Sequence, residues 1–226
     1  MNPDQFDALL SARHSCRAFR PDPIPDPVIE QILRSAQKVP SWCNAQPWQV
    51  EVTTAPETDR LRDAFYAHAM QSAQSPDVDW PSAYTGPHQH RRKTCGLQLY
   101  KSVGVTPGDR AASGQQMLEN FRFFGAPHIA LITAPAELGP YAYLDCGGFV
   151  TGFCLAATAQ DVATIPQAAV AAFAPFLRDW FDLPKDRVIL CGIAFGRSDE
   201  AHPANNFRTD RADLDEWVHW HGKETT

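Results

Sequence analysis

The chain has 226 residues, 44% hydrophobic and 20% charged, with a formal net charge of −6. That length supports a sizeable core and is read as one domain over 1–226. The acidic balance argues against nucleic acid as the main partner, and no apolar run approaches the roughly 18–20 residues that span a bilayer.

Asn2-Pro3 combines a capping side chain with proline at the first helical position. Phe6, Leu9 and Leu10 then form one apolar face, so a helix ending near Arg13 is predicted. Directly after it comes Arg13-His14-Ser15-Cys16-Arg17-Ala18-Phe19-Arg20, with three arginines, a histidine and a serine in eight residues. Clustered cations repel one another unless an anion lies among them. Arginine forks and a serine hydroxyl suit a phosphate; the plainer reading is cations answering a helix C-terminus. Pro21, Pro23 and Pro25 predict an extended linker, and Asp26-Pro27 repeats the capping signal. Val28, Ile29, Ile32, Leu33 and Ala36 predict a second amphipathic helix that stops before Pro40.

Pro40-Ser41-Trp42-Cys43-Asn44-Ala45-Gln46-Pro47-Trp48 reads as a loop framed by two prolines. It is either a simple helix-to-strand connection or a set of amides suited to reading the edge of a planar heterocycle. Alternation over 48–52 predicts a half-buried strand, and a helix is predicted over 57–74. The stretch 75–88, with Trp80 and Tyr84, is a long irregular excursion of the kind that lines pockets. The basic run His88-Gln89-His90-Arg91-Arg92-Lys93 starts another helix, and Asp109 caps one reaching Phe124. Residues 128–133 form an apolar strand. Residues 141–160 form a helix crowded with small residues, including Gly147, Gly148 and Gly152, which suggests close approach of another backbone. Thr164-Ile165-Pro166-Gln167 marks a turn into a further helix, and 188–196 is a buried central strand. The tail over 216–220 alternates and needs a cover, for which a partner's sheet edge is the natural candidate.

The start of the chain carries no basic stretch followed by an apolar one, so no secretory signal is read. The six cysteines are scattered without a CxxC pair, which points to reduced thiols, a cytoplasmic protein and no metal site. Dinucleotide, P-loop and GxSxG fingerprints are absent from the sequence. Cys16 lies beside cations that lower a thiol pKa, but no partner His or Asn is marked for it. An electron-carrying cofactor would explain why no nucleophile motif exists.

Four segments in order resemble the FMN-dependent nitroreductase family. Arg13-His14-Ser15-x-Arg17-x-Phe19 resembles its phosphate motif, and Pro40-Ser41-x-x-Asn44-x-Gln46-Pro47-Trp48 its flavin-reading loop. Ile165-Pro166-Gln167-Ala168-Ala169 resembles the segment against the isoalloxazine ring. Arg208-x-x-Arg211-x-x-Leu214-x-Glu216-x-Val218 resembles the C-terminal arginine and arm. The likeness is loosest over 66–124.

The resemblance implies an α+β fold: a mixed, mainly antiparallel sheet flanked by helices, with the C-terminal arm (205–226) exchanged in a homodimer that binds two FMN. It implies a phosphate held by Arg13, Ser15, Arg17 and a C-terminal arginine, Arg211 on register or Arg208 as second choice, with His14 near the ring or ribityl chain. In the loop framed by Pro40, Ser41, Asn44 and Gln46 would reach the flavin from the other subunit. Pro166, Gln167 and Ala168 would line the ring face and its N5 edge. A common family variant has an acidic residue and Gly where this chain has Ala168-Ala169.

The implied activity is ping-pong hydride transfer from NADH or NADPH, through FMN, to a nitroaromatic or other electron-poor acceptor. The likeness is greatest to the nitrobenzene and nitrobenzoate branch, through the Pro-Gln-Ala-Ala segment and the Asn205…Arg208…Arg211 ending. Reductive dehalogenation, ene reduction or flavin breakdown on the same scaffold are the alternatives, as is a non-catalytic FMN-binding protein. Arg91, Arg92 and Lys93 are candidates for meeting a substrate carboxylate, against a solvated helix face as the plainer reading.

Overall fold

The structure, a computed structural model, describes residues 2–222. Met1 and the last four residues of the expected arm lie outside the described residues.

Two long apolar strands form the centre. β2 (His128–Pro135) pairs antiparallel with β4 (Arg187–Gly196), for example Ile129 opposite Ala194. The short strands β1 (Gln49–Val52) and β3 (Ala163–Gln167) flank them, giving the order β1-β2-β4-β3 with every neighbour antiparallel. Parallel pairing among the described residues is confined to isolated bridges, Ser15 with Thr164 and Ser75 with Phe173. The mainly antiparallel sheet is thus as expected, and its parallel component is only these bridges.

The central strands are mainly apolar because both faces are covered, with His128 and Thr133 in β2 and Arg187 in β4 as the polar exceptions. Side chains alternate across a strand, and β2 shows the result. Ile129 and Leu131 enter one core, with Phe65, Phe121, Phe123 and Leu177. Ala130 and Ile132 enter the other, with Ile32, Phe149 and Phe153. The first core packs α3 (Ala55–Gln71) and α7 (Ala174–Trp180) on the sheet; the second packs α2 (Asp26–Ala36) and α6 (Gly139–Thr158). Each fully buried large side chain contributes about 1.5–3 kcal/mol. Phe65 anchors the first core, with its ring 5.6 to 5.8 Å from those of Phe121, Phe123 and Phe173.

Several boundaries differ from expectation for local reasons. α1 (Pro3–Ala12) starts as predicted, with a full capping box between Asn2 and Gln5. α2 does not: Pro25 is its N-cap and Asp26 lies inside the first turn, so the aspartate caps nothing. Asp109 does cap α5 (Arg110–Leu118), accepting from the Ala112 N–H. The helix ends well before Phe124, because Phe123 and Phe124 are left-handed (φ 54° and 52°) and turn inward to the core. Residues 163–167, expected as a turn into a helix, form edge strand β3; a proline is tolerated there because an edge leaves one side of the strand unpaired. Within the chain, the alternating tail has a short 3₁₀ turn at Leu214–Glu216 and no strand among the described residues.

The glycines of α6 have different surroundings. A Cβ on Gly152 would lie 2.6 Å from Val39 and 3.3 Å from the Ala36 carbonyl, so α2 is the close backbone there. Gly147 and Gly148 face open space. Among the described residues, no helix is long and apolar enough to cross a membrane.

Candidate functional site

The basic octapeptide leaves α1 at Arg13, whose N–H still donates to Leu9 O at 3.1 Å. The chain then runs extended beside β3: Ser15 bridges Thr164, and the Cys16 N–H donates to Thr164 O at 3.0 Å. Extended backbone sends alternate side chains to opposite sides. Cys16 and Ala18 are buried. Arg13, Ser15 and Arg17 line an open cavity of about 770 Å³.

The far end of the sequence completes that cavity. The Arg17 N–H donates to Asn205 Oδ1 at 2.7 Å, and Asn205 Nδ2 donates to the carbonyls of Ala18 and Asp199, both at 2.9 Å. This knot brings Phe207, Arg208 and Arg211 to the same wall. The Arg17 guanidinium lies over the Phe207 ring, 5.6 Å from its centroid.

Among the described residues, none of Arg13, Arg17, Arg208 and Arg211 pairs with a carboxylate. Arg17, Arg208 and Arg211 instead donate to nearby backbone carbonyls, those of Ser15, Asn205 and Thr209 among them. His14 is pushed below its ordinary pKa, first by burial; its hydrogen bond to Ala12 O opposes this, and the charges of Arg208, Arg13 and Arg17 lower it further. Because a carbonyl only accepts, Nδ1 carries the proton of the neutral ring, 3.0 Å from Ala12 O. Burial also holds Arg17 below its ordinary value. Four arginines without counter-ions and a serine hydroxyl fit a phosphomonoester of about −2 charge.

Cys16 is not an activated nucleophile. Its side chain is fully buried, its thiol donates to Ala18 O at 3.1 Å, and burial pushes its pKa up. The lowering by Arg17 is the smallest of the causes acting on it.

The other expected contacts fall in two places. Pro166 and Ala168 are exposed just past the Ser15–Thr164 bridge. Gln167 turns inward: its Nε2 donates to Asn120 O at 2.9 Å, and its Oε1 is buried without a partner. The loop carrying Pro40, Ser41, Asn44 and Gln46 does not line this cavity in its own chain. It is held by internal bonds, with Ser41 Oγ accepting the Gln46 N–H at 2.9 Å and Gln46 Nε2 donating to Asn44 O at 3.3 Å.

An adjoining cavity of about 740 Å³ lies between α4 (Gly86–Ser102) and the C-terminal segment and shares Cys95, Thr209 and Arg211 with the first. Of the irregular stretch 75–88 only Pro87 is in its lining, and Trp80 and Tyr84 are not. Of the three basic candidates there, Arg91 lines it but pairs with Glu216 at 2.7 Å. Arg92 lies over the Tyr84 ring, 5.2 Å from its centroid, and Lys93 is not in the lining. Sequence reading missed the role of Asn205. The one available signal was its place three residues before Arg208, a spacing that says nothing about a partner 188 residues away.

A family profile described as the nitroreductase family matches residues 10–197. The chain belongs to the nitroreductase family. As a nitroreductase-family member it is 34% identical to nitroreductase NfnB of Mycolicibacterium smegmatis, over 93% of this chain and 90% of the relative. A 4-nitrobenzoate reductase of Pseudomonas putida is 31% identical over 97% of this chain and 96% of its own. The crystal structure of the FMN-dependent NfnB from Mycobacterium smegmatis in complex with NADPH matches with a TM-score of 0.92 at 30% identity, covering 96% of this chain and 98% of that one. The profile takes in the N-terminal cations, the loop and β3 of this nitroreductase-family chain and stops short of Arg208 and Arg211.

Proposed function

We propose that this chain is an FMN-dependent NAD(P)H oxidoreductase that reduces nitroaromatic or other electron-poor acceptors. The carrying observation is the cavity where Arg13, Arg17, Arg208 and Arg211 meet without a carboxylate partner, in a chain of net charge −6. The chemistry that bound FMN supplies is two-electron transfer in a ping-pong cycle, with hydride entering from NADH or NADPH and electrons leaving to the acceptor.

The residues of the chain bind and orient. Arg13, Ser15 and Arg17 hold the phosphate through charge-assisted bonds. Arg208 is favoured as their C-terminal partner, because its charge is felt at His14 together with theirs. Arg211, preferred on register, also borders the adjoining cavity. His14 donates from Nδ1 to the Ala12 carbonyl and keeps Nε2 for a neighbour near the ribityl chain. Pro166 and Ala168, exposed two and four residues past Thr164, the bridge partner of the cavity's Ser15, offer a face for the ring.

The active unit in this reading is a homodimer, one domain per chain, with the C-terminal arm exchanged. Supporting it are the exposed Tyr141 and Leu144 beside the open Gly147 and Gly148 on α6, and the exposed Trp217. In that assembly Ser41, Asn44 and Gln46 serve the cofactor of the partner subunit. Free cysteines, of which Cys16, Cys146 and Cys154 are buried, suit a cytoplasmic location.

An anaerobic absorbance titration tests the function. The purified protein should show oxidised-flavin bands that bleach with NADPH or NADH and return when 4-nitrobenzoate or nitrobenzene is added. Bleaching without return would remove the nitroarene assignment. A colourless protein that takes up no added FMN would overturn the phosphate reading of Arg13–Arg17.

A further inference from the structure

We infer that Asp145 is a positioning residue for the flavin-reading loop: from α6 its carboxylate holds the Trp42 N–H and sets the turn that presents Asn44 and Gln46. The inference rests on reading that loop as a flavin contact.

The loop has an unfavourable backbone. Cys43, Asn44 and Gln46 are all left-handed (φ 50°, 58° and 48°). Asn tolerates that region; Cys and Gln adopt it only where their surroundings over-determine it. The internal bonds of the loop join its residues to one another but do not tie it to the body of the protein.

Two hydrogen-bonding anchors from the body supply the tie, beside the stack of Trp48 on Phe149. At the exit, Arg187 of β4 donates from Nη2 to Pro47 O at 3.4 Å while holding Thr133 O of β2 at 2.8 Å. At the entry, the Trp42 N–H points at both Asp145 oxygens, at 3.2 and 3.1 Å. One helical turn before Asp145, Tyr141 meets the Trp42 ring edge-on, with centroids 4.0 Å apart. Among the described residues Asp145 forms no ion pair, so its polar contact is this backbone amide. The amide belongs to the residue immediately before the left-handed run. Losing the carboxylate frees the entry of the loop and lets Cys43 and Asn44 relax towards ordinary backbone, which turns the Asn44 and Gln46 amides away.

The test titrates FMN into the stripped full-length protein, following flavin fluorescence and the position of the visible bands. Asp145→Ala should weaken FMN by about tenfold and shift the bands. Asp145→Asn keeps an acceptor oxygen in place and should recover most of the affinity. Asp145 is a half-exposed helix position that Ala and Asn tolerate, so far-UV circular dichroism of both Asp145 variants should match the parent. Asn44→Gly removes the reading amide while suiting the positive φ and serves as the reference. Loss in both Asp145→Ala and Asn44→Gly, with recovery in Asp145→Asn, supports the inference. Loss in Asn44→Gly alone overturns the role of Asp145 and leaves the loop reading standing. Parent-like binding by both Asn44→Gly and Asp145→Ala overturns the loop reading and the inference with it. Equal loss in Asp145→Ala and Asp145→Asn overturns positioning through the acceptor oxygen.

Discussion

The Arg17 amide and the Asn205 side chain, 188 residues apart, meet in a 2.7 Å hydrogen bond. Asn205 is 6% exposed and satisfies both of its amide ends, accepting from Arg17 and donating to Ala18 and Asp199. Through this side chain the N-terminal arginines and the C-terminal arginines share one cavity.

Replacing Asn205 with Ala leaves the part-buried Arg17 N–H without its acceptor, while the Ala18 and Asp199 carbonyls lose one donor each and keep the Asp199 and His202 N–H groups. The expected loss is about 1–3 kcal/mol of stability, read as a lower urea midpoint with an unchanged slope. FMN affinity should fall in the same variant, because the segment that carries Arg208 loses its side-chain tie to Arg17. A stability change within about 0.5 kcal/mol, the range of ordinary surface substitutions, would show that the knot carries no weight.

Arg17 should matter for the phosphate and not for the ring. Arg17→Ala is expected to weaken FMN by about tenfold to a hundredfold, in line with loss of a charge-assisted bond. Riboflavin, which lacks the phosphate, should bind parent and variant alike. Arg17→Lys should recover little, since an ammonium lacks the fork that meets phosphate and stacks on Phe207. Parallel titrations of the two flavins, repeated at higher salt, check this; equal losses for both would place Arg17 elsewhere in the site.

Thiol chemistry should ignore Cys16. Its burial raises its pKa, and burial pushes Cys146 up to about 11. Alkylation of the folded protein near pH 8, mapped by mass spectrometry, should mark exposed Cys43 first and leave Cys16 and Cys146 unmodified. Cys16→Ala should retain turnover, and a dead but folded Cys16→Ala would revive the nucleophile reading.

Stability should fall on mild acidification because of His128. Its Nε2 accepts the Ile24 N–H at 3.0 Å and its Nδ1 donates to Thr53 O at 2.9 Å, so the ring is neutral with a defined tautomer. Burial is the largest cause acting on it and lowers its pKa below 6.5; the Thr53 hydrogen bond and the Asp26 charge oppose this. A folded-state value below the unfolded one means that the unfolded chain takes the proton first. The contribution is therefore complete above about pH 6.5 and is lost as pH falls towards the folded value, by at most about 1.4 kcal/mol per pH unit. Urea midpoints between pH 8 and 5 should decline, and His128→Gln should decline less steeply. Burial depresses His14 as well, so some slope remains in that variant.

Much of the frame was legible because it rests on local rules. The Asn2-Pro3 cap, the stripe of α2 and the apolar runs of β2 and β4 each follow from short-range pattern, and each appears where expected within a few residues. The shared wall of Arg13, Ser15 and Arg17 was legible for the same reason: they are two residues apart, and extended backbone alone puts such residues on one side.

What stayed hidden depends on neighbours distant in sequence. Pro166 reads as a helix-breaking turn, and only pairing with β4 makes it part of an edge strand. Phe123 and Phe124 read as the last turn of a helix, and only the pull of the core around Phe65 turns them left-handed. The cations beside Cys16 read as lowering its pKa, and only its complete burial reverses the sign. The sequence by itself determined which residues are cationic, which are apolar, and at what period they recur. Tertiary structure alone decided which of them meet: Asn205 with Arg17, Asp145 with Trp42. Burial and long-range hydrogen bonds are properties of the folded chain, and they set both the desolvation of a charge and the partner of a backbone amide.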